Sequence, residues 1–257
     1  MKIIDPEKKS TELIQFIKDT CTKEKRTDIL IGLSGGIDSA TSLTLAVKAL
    51  GKDHVYPILM PYGNLSDQGT SDAWLVIDSL EIPHEHVEVI DIKPLVDSVA
   101  AYDDSINDSR RGSIMARMRM VVLYDLVKKY GYKHMVLGTE NLTEHLLGYY
   151  TRFGDEASDI EPLRNLYKYQ VFELAKFLKI PEQIITKSPT AGLWEGQTDE
   201  GELGFTYKDA DEVLYFYFEE KLSQQQVIGK GYSEELVTQV WKWIDTAEYK
   251  DRLPYQV

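Results

Sequence analysis

The sequence predicts an α/β protein, with an open parallel sheet and helices on both faces. Two observations carry that prediction. Four short apolar runs, at residues 28–33, 55–60, 86–91 and 134–139, are separated by amphipathic stretches of helical length. The first run breaks directly into Ser-Gly-Gly before helical spacing resumes. That strand–turn–helix order places a loop at the carboxyl end of a strand, where such sheets bind ligands.

The elements follow in order. "DILIGL", "VYPILM", "HVEVID" and "HMVLGT" are largely continuous apolar runs, as expected of strands buried on both faces. Helices are expected over 39–50, 67–80, 94–101 and 109–130, which completes a βαβαβαβ pattern. After Thr139 the character changes. "GYYTRFGDEASDIEPL" and "KSPTAGLWEGQTDEGELG" are polar, aromatic and glycine-containing, without sustained periodicity. Irregular segments of that length in a compact chain are more often functional loops than passive connectors. A helix over 169–180 lies between them. From about residue 207 the chain reads as helical, and the apolar face of "EELVTQVWKWI" suits a core or a subunit interface. No internal repeat or low-complexity linker divides 1–257, so one domain with a helical C-terminal part is expected.

Composition narrows the function classes. A hydrophobic content of 43% and a charged content of 28% suit a globular chain large enough to bury a core. No run approaches the roughly 20 apolar residues needed to cross a bilayer. The N-terminus "MKIIDPEKKSTELI" has no apolar signal region, so a cytoplasmic protein is expected. One cysteine, Cys21, excludes an intramolecular disulfide and fits a reducing compartment. Its polar neighbours "DTCTKEK" offer no activating partner, so it is read as structural. The formal charge of −13 argues against nonspecific nucleic-acid binding, though net charge says little about one pocket. Five scattered histidines form no HExxH, and His84 and His86 read as strand-edge residues, so zinc is not expected.

The chemistry begins with Ser34-Gly35-Gly36-Ile37-Asp38-Ser39. The glycines let the backbone turn and approach an anion, and the two serines add hydroxyl donors. The following helix points its N–H groups and positive dipole end at the same place. Asp38 would repel a bare phosphate, so its presence calls for a divalent cation between them. No Walker lysine follows.

This stretch resembles the PP-loop, SGGxDS, of the ATP pyrophosphatase superfamily, whose fold is adenine nucleotide α-hydrolase-like and Rossmann-like. The resemblance implies a loop that holds the β,γ-pyrophosphate of ATP while a substrate oxygen attacks the α-phosphorus. Four further stretches resemble the ammonia-dependent NAD synthetase family. They are "SIMARMRM", "GTENLTEHLLGYYTRFGDEASDIEPL", "KSPTAGLWEGQTDEGELG" and "MPYGNLSDQGTSDA". Together the matches run from Ile31 to Gly204.

The resemblance implies roles position by position. Gly32, Leu33, Ser34, Gly35, Gly36, Ile37, Asp38 and Ser39 match the ATP phosphate loop. Asp38 and Glu144 match magnesium ligands, while Thr139, Lys168 and Thr190 match ATP contacts. Lys168 is expected to supply the positive charge that the loop lacks. Arg117 and Asp159 match deamido-NAD contacts, and Asp155 matches a carboxylate that handles incoming ammonia. Arg152 stands where many members have lysine, so a planar fork replaces a point charge. Near the end, "AEYKDRLP" resembles the family's E-H-K-R-x-P segment and places Tyr249 and Lys250 at the dinucleotide, with tyrosine in place of histidine.

The implied activity is amidation of deamido-NAD through an acyl-adenylate, with ATP, deamido-NAD and ammonia as reactants and Mg2+ as cofactor. A homodimer is implied, with neither membrane nor nucleic acid as partner. There is no room for a fused glutaminase, so ammonia is expected free or from a separate protein. The alternatives are another PP-loop enzyme, GMP-synthetase-like or tRNA-modifying, and a non-catalytic nucleotide-binding protein of the same fold. The loops over 150–159 and 196–202 are expected to be mobile until substrates bind.

Overall fold

The computed structural model describes residues 3–250. Its centre is a four-stranded parallel sheet formed by β1 (Asp28–Gly32), β2 (Val55–Leu59), β3 (Glu88–Val89) and β4 (His134–Leu137), in the order β3-β2-β1-β4. Register is set by pairs such as Leu30 with Tyr56 and Leu30 with Val136. Strand alternation divides the core. Ile29 and Ile31 face one helical layer, whereas Leu30 faces the other with Ile58 and Val136.

The first layer holds α1 (Pro6–Lys23), α2 (Ile37–Leu50) and, beside β2, α3 (Asp67–Ser79). The opposite layer holds α4 (Lys93–Ala100) and α5 (Asp108–Lys129). α2 is buried almost all round, against α1, the sheet and α7 (Lys168–Phe177). The Thr41 and Thr44 hydroxyls tolerate that burial because Thr41 donates to Ile37 O and Thr44 to Ala40 O, each at 2.7 Å. α6 (Leu142–Leu147) follows β4, while α8 (Glu182–Thr186) and α9 (Asp199–Leu203) bracket the second irregular segment. α10 (Tyr207–Phe218), α11 (Gln224–Ile228) and α12 (Glu234–Lys250) pack with α6 around a second apolar cluster that includes Val213, Val237 and Trp241.

The sheet and the helices packed on it follow the expected pattern, with short α6, α8 and α9 added and differences at α1, β3 and α7. α1 was not expected. It starts where Asp5 accepts the N–H groups of Glu7 and Lys8, each at 3.1 Å, with Pro6 in the first turn. β3 pairs over two residues only, because the chain leaves the sheet edge into the turn that starts α4. α7 ends at Phe177, and Lys179 then takes φ +61°. Cys21 is buried on α1, and burial raises its thiol pKa, in keeping with a structural role. Among the described residues no helix is long and apolar enough to cross a membrane.

Candidate active site

β1 delivers the glycine turn of Ser34, Gly35 and Gly36. Beyond the strand, Leu33 N–H still donates to Ile58 O at 3.0 Å, and the chain then turns through Ser34, Gly35 and Gly36 into α2. Gly35 has φ +77°, and a Cβ there would stand 2.3 Å from the Gly69 carbonyl oxygen in α3. Only glycine fits that approach. Ser34 Oγ and Ser39 Oγ lie 3.1 Å apart, Gly36 N–H reaches Ser34 Oγ at 3.3 Å, and Ser39 donates to Gly36 O at 3.0 Å. The serines thus hold the turn open at the start of α2, where free N–H groups and the helix dipole favour an anion.

Asp38, in the first turn of α2, joins residues brought from far along the chain. Lys168 Nζ donates to Asp38 Oδ2 at 2.6 Å and to Glu144 Oε1 at 2.9 Å. Asn141 Nδ2 donates to Asp38 Oδ1 at 2.9 Å and also caps α6, with Glu144 completing the box. Glu144 is pushed well above the usual carboxylate range, first by burial and then by neighbouring Asp38, against the pull of Lys168. Burial by itself would lower Lys168, but the Asp38 and Glu144 charges outweigh it and raise it. Lys168 also lies over the Tyr207 ring, 4.7 Å from its centroid. Tyr207 in turn donates to buried Asp199 at 3.0 Å, a third carboxylate acting on the same lysine.

Two buried groups hold α6 and α7 in place. Thr143 donates to Asp211, and its hydroxyl accepts Lys168 N–H at 2.8 Å. Asp211 Oδ2 accepts Tyr169 N–H at 2.7 Å. The N-terminus of α7, with Lys168 as its first residue, is thereby fixed to the helix that carries Glu144.

Ser34, Asp38, Glu144, Lys168 and Asp199 border a cleft of about 710 Å³ at the carboxyl ends of the strands. Thr139 lines it at the exit of β4, and Thr190 lines it from the second loop, donating to Gln197 O at 2.8 Å. Asp155 opens on the cleft, where Thr151 N–H donates to its Oδ1 at 2.9 Å. Its surface is solvent-exposed, yet the surrounding walls restrict hydration, and that desolvation raises its pKa. Lys187 enters beside the glycine turn, paired at 2.6 Å with Asp72, whose carboxylate is fully buried on α3. Lys250, at the end of α12, donates to Gly148 O at 2.5 Å and to Tyr150 O at 2.8 Å.

The remaining expected residues form a separate group outside the cleft lining. Arg117 is exposed on α5 and donates through Nε to Arg152 O at 3.3 Å. The Arg152 guanidinium lies 5.3 Å from the centroid of the Tyr249 ring. Asp159 turns toward the sheet and accepts Val136 N–H at 2.8 Å. Asp251 to Pro254 of the "AEYKDRLP" match lie outside the described residues.

Asn141, Asp199, Asp211, Asp72 and Arg119 belong to the site's construction but were not assigned from sequence. Asn141 carries a local signal, the Asn-x-x-Glu capping spacing, and Arg119 lies within "SIMARMRM".

Comparison with known proteins bears on the same span. A chain from Pyrococcus furiosus, an NH(3)-dependent NAD(+) synthetase, is 43% identical over 99% of this chain and 95% of its own. An NMN synthetase from Francisella tularensis superposes with a TM-score of 0.85 at 35% identity, covering 99% of both chains. An NH3-dependent NAD synthetase from Campylobacter jejuni gives 0.82 at 27% identity, over 99% of this chain and 100% of that one. The family model described as NAD synthase matches residues 9–254, a span that contains the glycine turn, the carboxylate–lysine cluster and both loops that wall the cleft. With that coverage, the chain belongs to the NAD synthase family.

Proposed function

We propose that the chain amidates deamido-NAD to NAD with ammonia, using ATP as co-substrate and releasing AMP and pyrophosphate. The observation that carries this reading is the convergence of Asp38, Glu144 and Lys168 beside the glycine turn at the head of α2. The Pyrococcus and Campylobacter relatives support the choice of ammonia and of the NAD product.

In this reading the glycine turn and the first N–H groups of α2 bind the β,γ-phosphates. The nicotinate carboxylate attacks the α-phosphorus, a P–O bond to pyrophosphate breaks, and an acyl-adenylate forms. Ammonia then attacks the acyl carbon, gives up a proton, and AMP leaves with the bonding pair. Asp155 is the carboxylate that takes that proton in this reading, and desolvation, which raises its pKa, makes it a stronger base than an ordinary aspartate. Lys168 stabilises charge on the departing pyrophosphate. Thr139 and Thr190 contact the nucleotide, and the group formed by Arg117, Arg152 and Tyr249, with Asp159 and Lys250 beyond it, serves the dinucleotide.

The donor set fits Mg2+. Asp38 and Glu144 offer hard oxygens, and three carboxylates act on one lysine. Magnesium takes one or two carboxylates and completes its shell with phosphates and water. Bound there, it would screen the phosphate charge against Asp38 and Glu144. We propose further that the chain acts as one catalytic domain and as a homodimer. Exposed Leu95, Val99 and Val121 on α4 and α5 support a partner on that side.

One observation favours a second reading, amidation of the mononucleotide acid: the Francisella neighbour is an NMN synthetase. A single experiment decides. The protein is incubated with Mg-ATP and ammonium plus either deamido-NAD or nicotinate mononucleotide, and amide and AMP are quantified. Amide from deamido-NAD at the higher kcat/KM supports the first reading, and preference for the mononucleotide supports the second. No AMP with either acceptor removes both.

A further inference from the structure

Four cationic side chains line the cleft among the described residues: Arg119, Lys168, Lys187 and Lys250. Three are committed elsewhere. Lys168 lies between Asp38 and Glu144, and Lys187 is paired with Asp72. Lys250 donates hydrogen bonds to two carbonyls and lies over the Tyr150 ring, 5.1 Å from its centroid.

Arg119 differs. Its Nε donates to Met60 O at 3.2 Å, at the carboxyl end of β2. That neutral carbonyl is its hydrogen-bond partner among the described residues, and no carboxylate pairs with it. The carboxylate whose charge reaches it is Asp155. Desolvation by the surrounding walls lowers its pKa, with the Asp155 charge opposing.

Helix geometry explains why it is this arginine. Residues two apart on a helix point to nearly opposite sides, so Arg117 and Arg119 cannot both enter one cleft. α5 turns Arg117 outward to Arg152 and Arg119 inward to Met60. With Nε occupied, the two terminal nitrogens of Arg119 remain as a planar fork, the shape that matches a carboxylate or phosphate in bidentate contact.

We propose that Arg119 is an oxyanion-binding residue of the cleft, gripping the phosphate or carboxylate oxygens of a bound reactant through its terminal nitrogens. The identity of the reactants, ATP or the pyridine nucleotide acid, rests on the function proposed above. The binding chemistry does not.

Equilibrium binding of Mg-ATP and, separately, of deamido-NAD is measured by calorimetry for the wild type, Arg119→Gln and Arg119→Lys. The expected result for Arg119→Gln is a loss of about tenfold or more in affinity for one ligand, with the melting temperature unchanged. Arg119→Lys loses less, because charge survives while the fork does not. Loss confined to Mg-ATP assigns the contact to phosphate, and loss confined to deamido-NAD assigns it to the acid. Unchanged affinity for both ligands in both variants overturns the proposal. Equal loss for both with a lowered melting temperature marks general damage and overturns it as well. Should Arg119→Gln fail to fold, unchanged affinity in Arg119→Lys is by itself decisive against it. A wild type that binds both ligands but forms no NAD overturns the proposed function and leaves this test standing, because the test reads binding.

Discussion

Lys168 Nζ lies 2.6 Å from Asp38 Oδ2, closing a gap of 130 residues in sequence. The ammonium is almost completely buried and sits between two carboxylates that each keep an edge on the cleft. An ion pair so enclosed is worth little as a stabiliser, because desolvation offsets most of its attraction. Its value is positional: it holds a cation and two hard-oxygen donors beside the glycine turn.

Asp38→Asn keeps the shape of the side chain but removes the charge and one of the two acceptor oxygens that Asn141 and Lys168 use. Turnover should fall by on the order of 10²-fold or more, as when one electrostatic contact to a transition state is deleted. Circular dichroism should show the fold retained. Near-normal kcat in that variant would refute the metal role.

Asp211→Ala tests the support behind Lys168. The change leaves Thr143 Oγ–H and Tyr169 N–H without their acceptor in a buried place, at a cost of about 1–3 kcal/mol. Stability by denaturant titration should drop accordingly. Because α7 loses its anchor, kcat should fall more than KM rises. A variant with unchanged stability would remove Asp211 from this role.

Gly35→Ala places a methyl group 2.3 Å from Gly69 O and forces an L side chain to φ +77°. Strain of about 1–2 kcal/mol from the dihedral adds to the clash. The melting temperature should fall and Mg-ATP affinity should be largely lost. Tight ATP binding by this variant would show that the turn can relax.

His134 gives the pH dependence. Burial holds its pKa below 6.5, Asp28 opposing and Lys133 assisting, with both ring nitrogens unpartnered among Tyr56 and Tyr130. The folded chain therefore resists a proton that the unfolded chain accepts. The resulting stability is complete above pH 6.5 and is lost as pH falls through the folded pKa. As pH falls below 6.5, the melting temperature of the wild type should fall more steeply than that of His134→Phe, whereas above 6.5 position 134 should contribute no slope. Parallel slopes would assign the acid sensitivity elsewhere.

The strands, the glycine turn and the helices around the sheet are legible in sequence because each has a local period or a local φ demand. Gly35 is the clearest case. β3 reads longer than it is, since an apolar run does not say where edge pairing stops. α1 went unread although Asp5 and Pro6 mark its start. Asp72, Asp199 and Asp211 gain meaning only through partners 115, 8 and 68 positions away, whereas the cap at Asn141 leaves a local trace. The arginine pair shows the limit most plainly. A motif names both residues, but the rotation of α5 against the sheet decides which one enters the cleft.

Lys250 ties the far end of α12 to the carbonyls that open the first loop, from which Arg152 and Asp155 hang. The last described turn of the chain is thus a mechanical tether on the loop that carries Asp155. A load applied there, such as a fused tag pulled taut or a clipped helix end, would be felt at Asp155 before it was felt in the sheet. The same load on α1, which packs on α2 and α7 through the sheet-side core, would spread through that core instead.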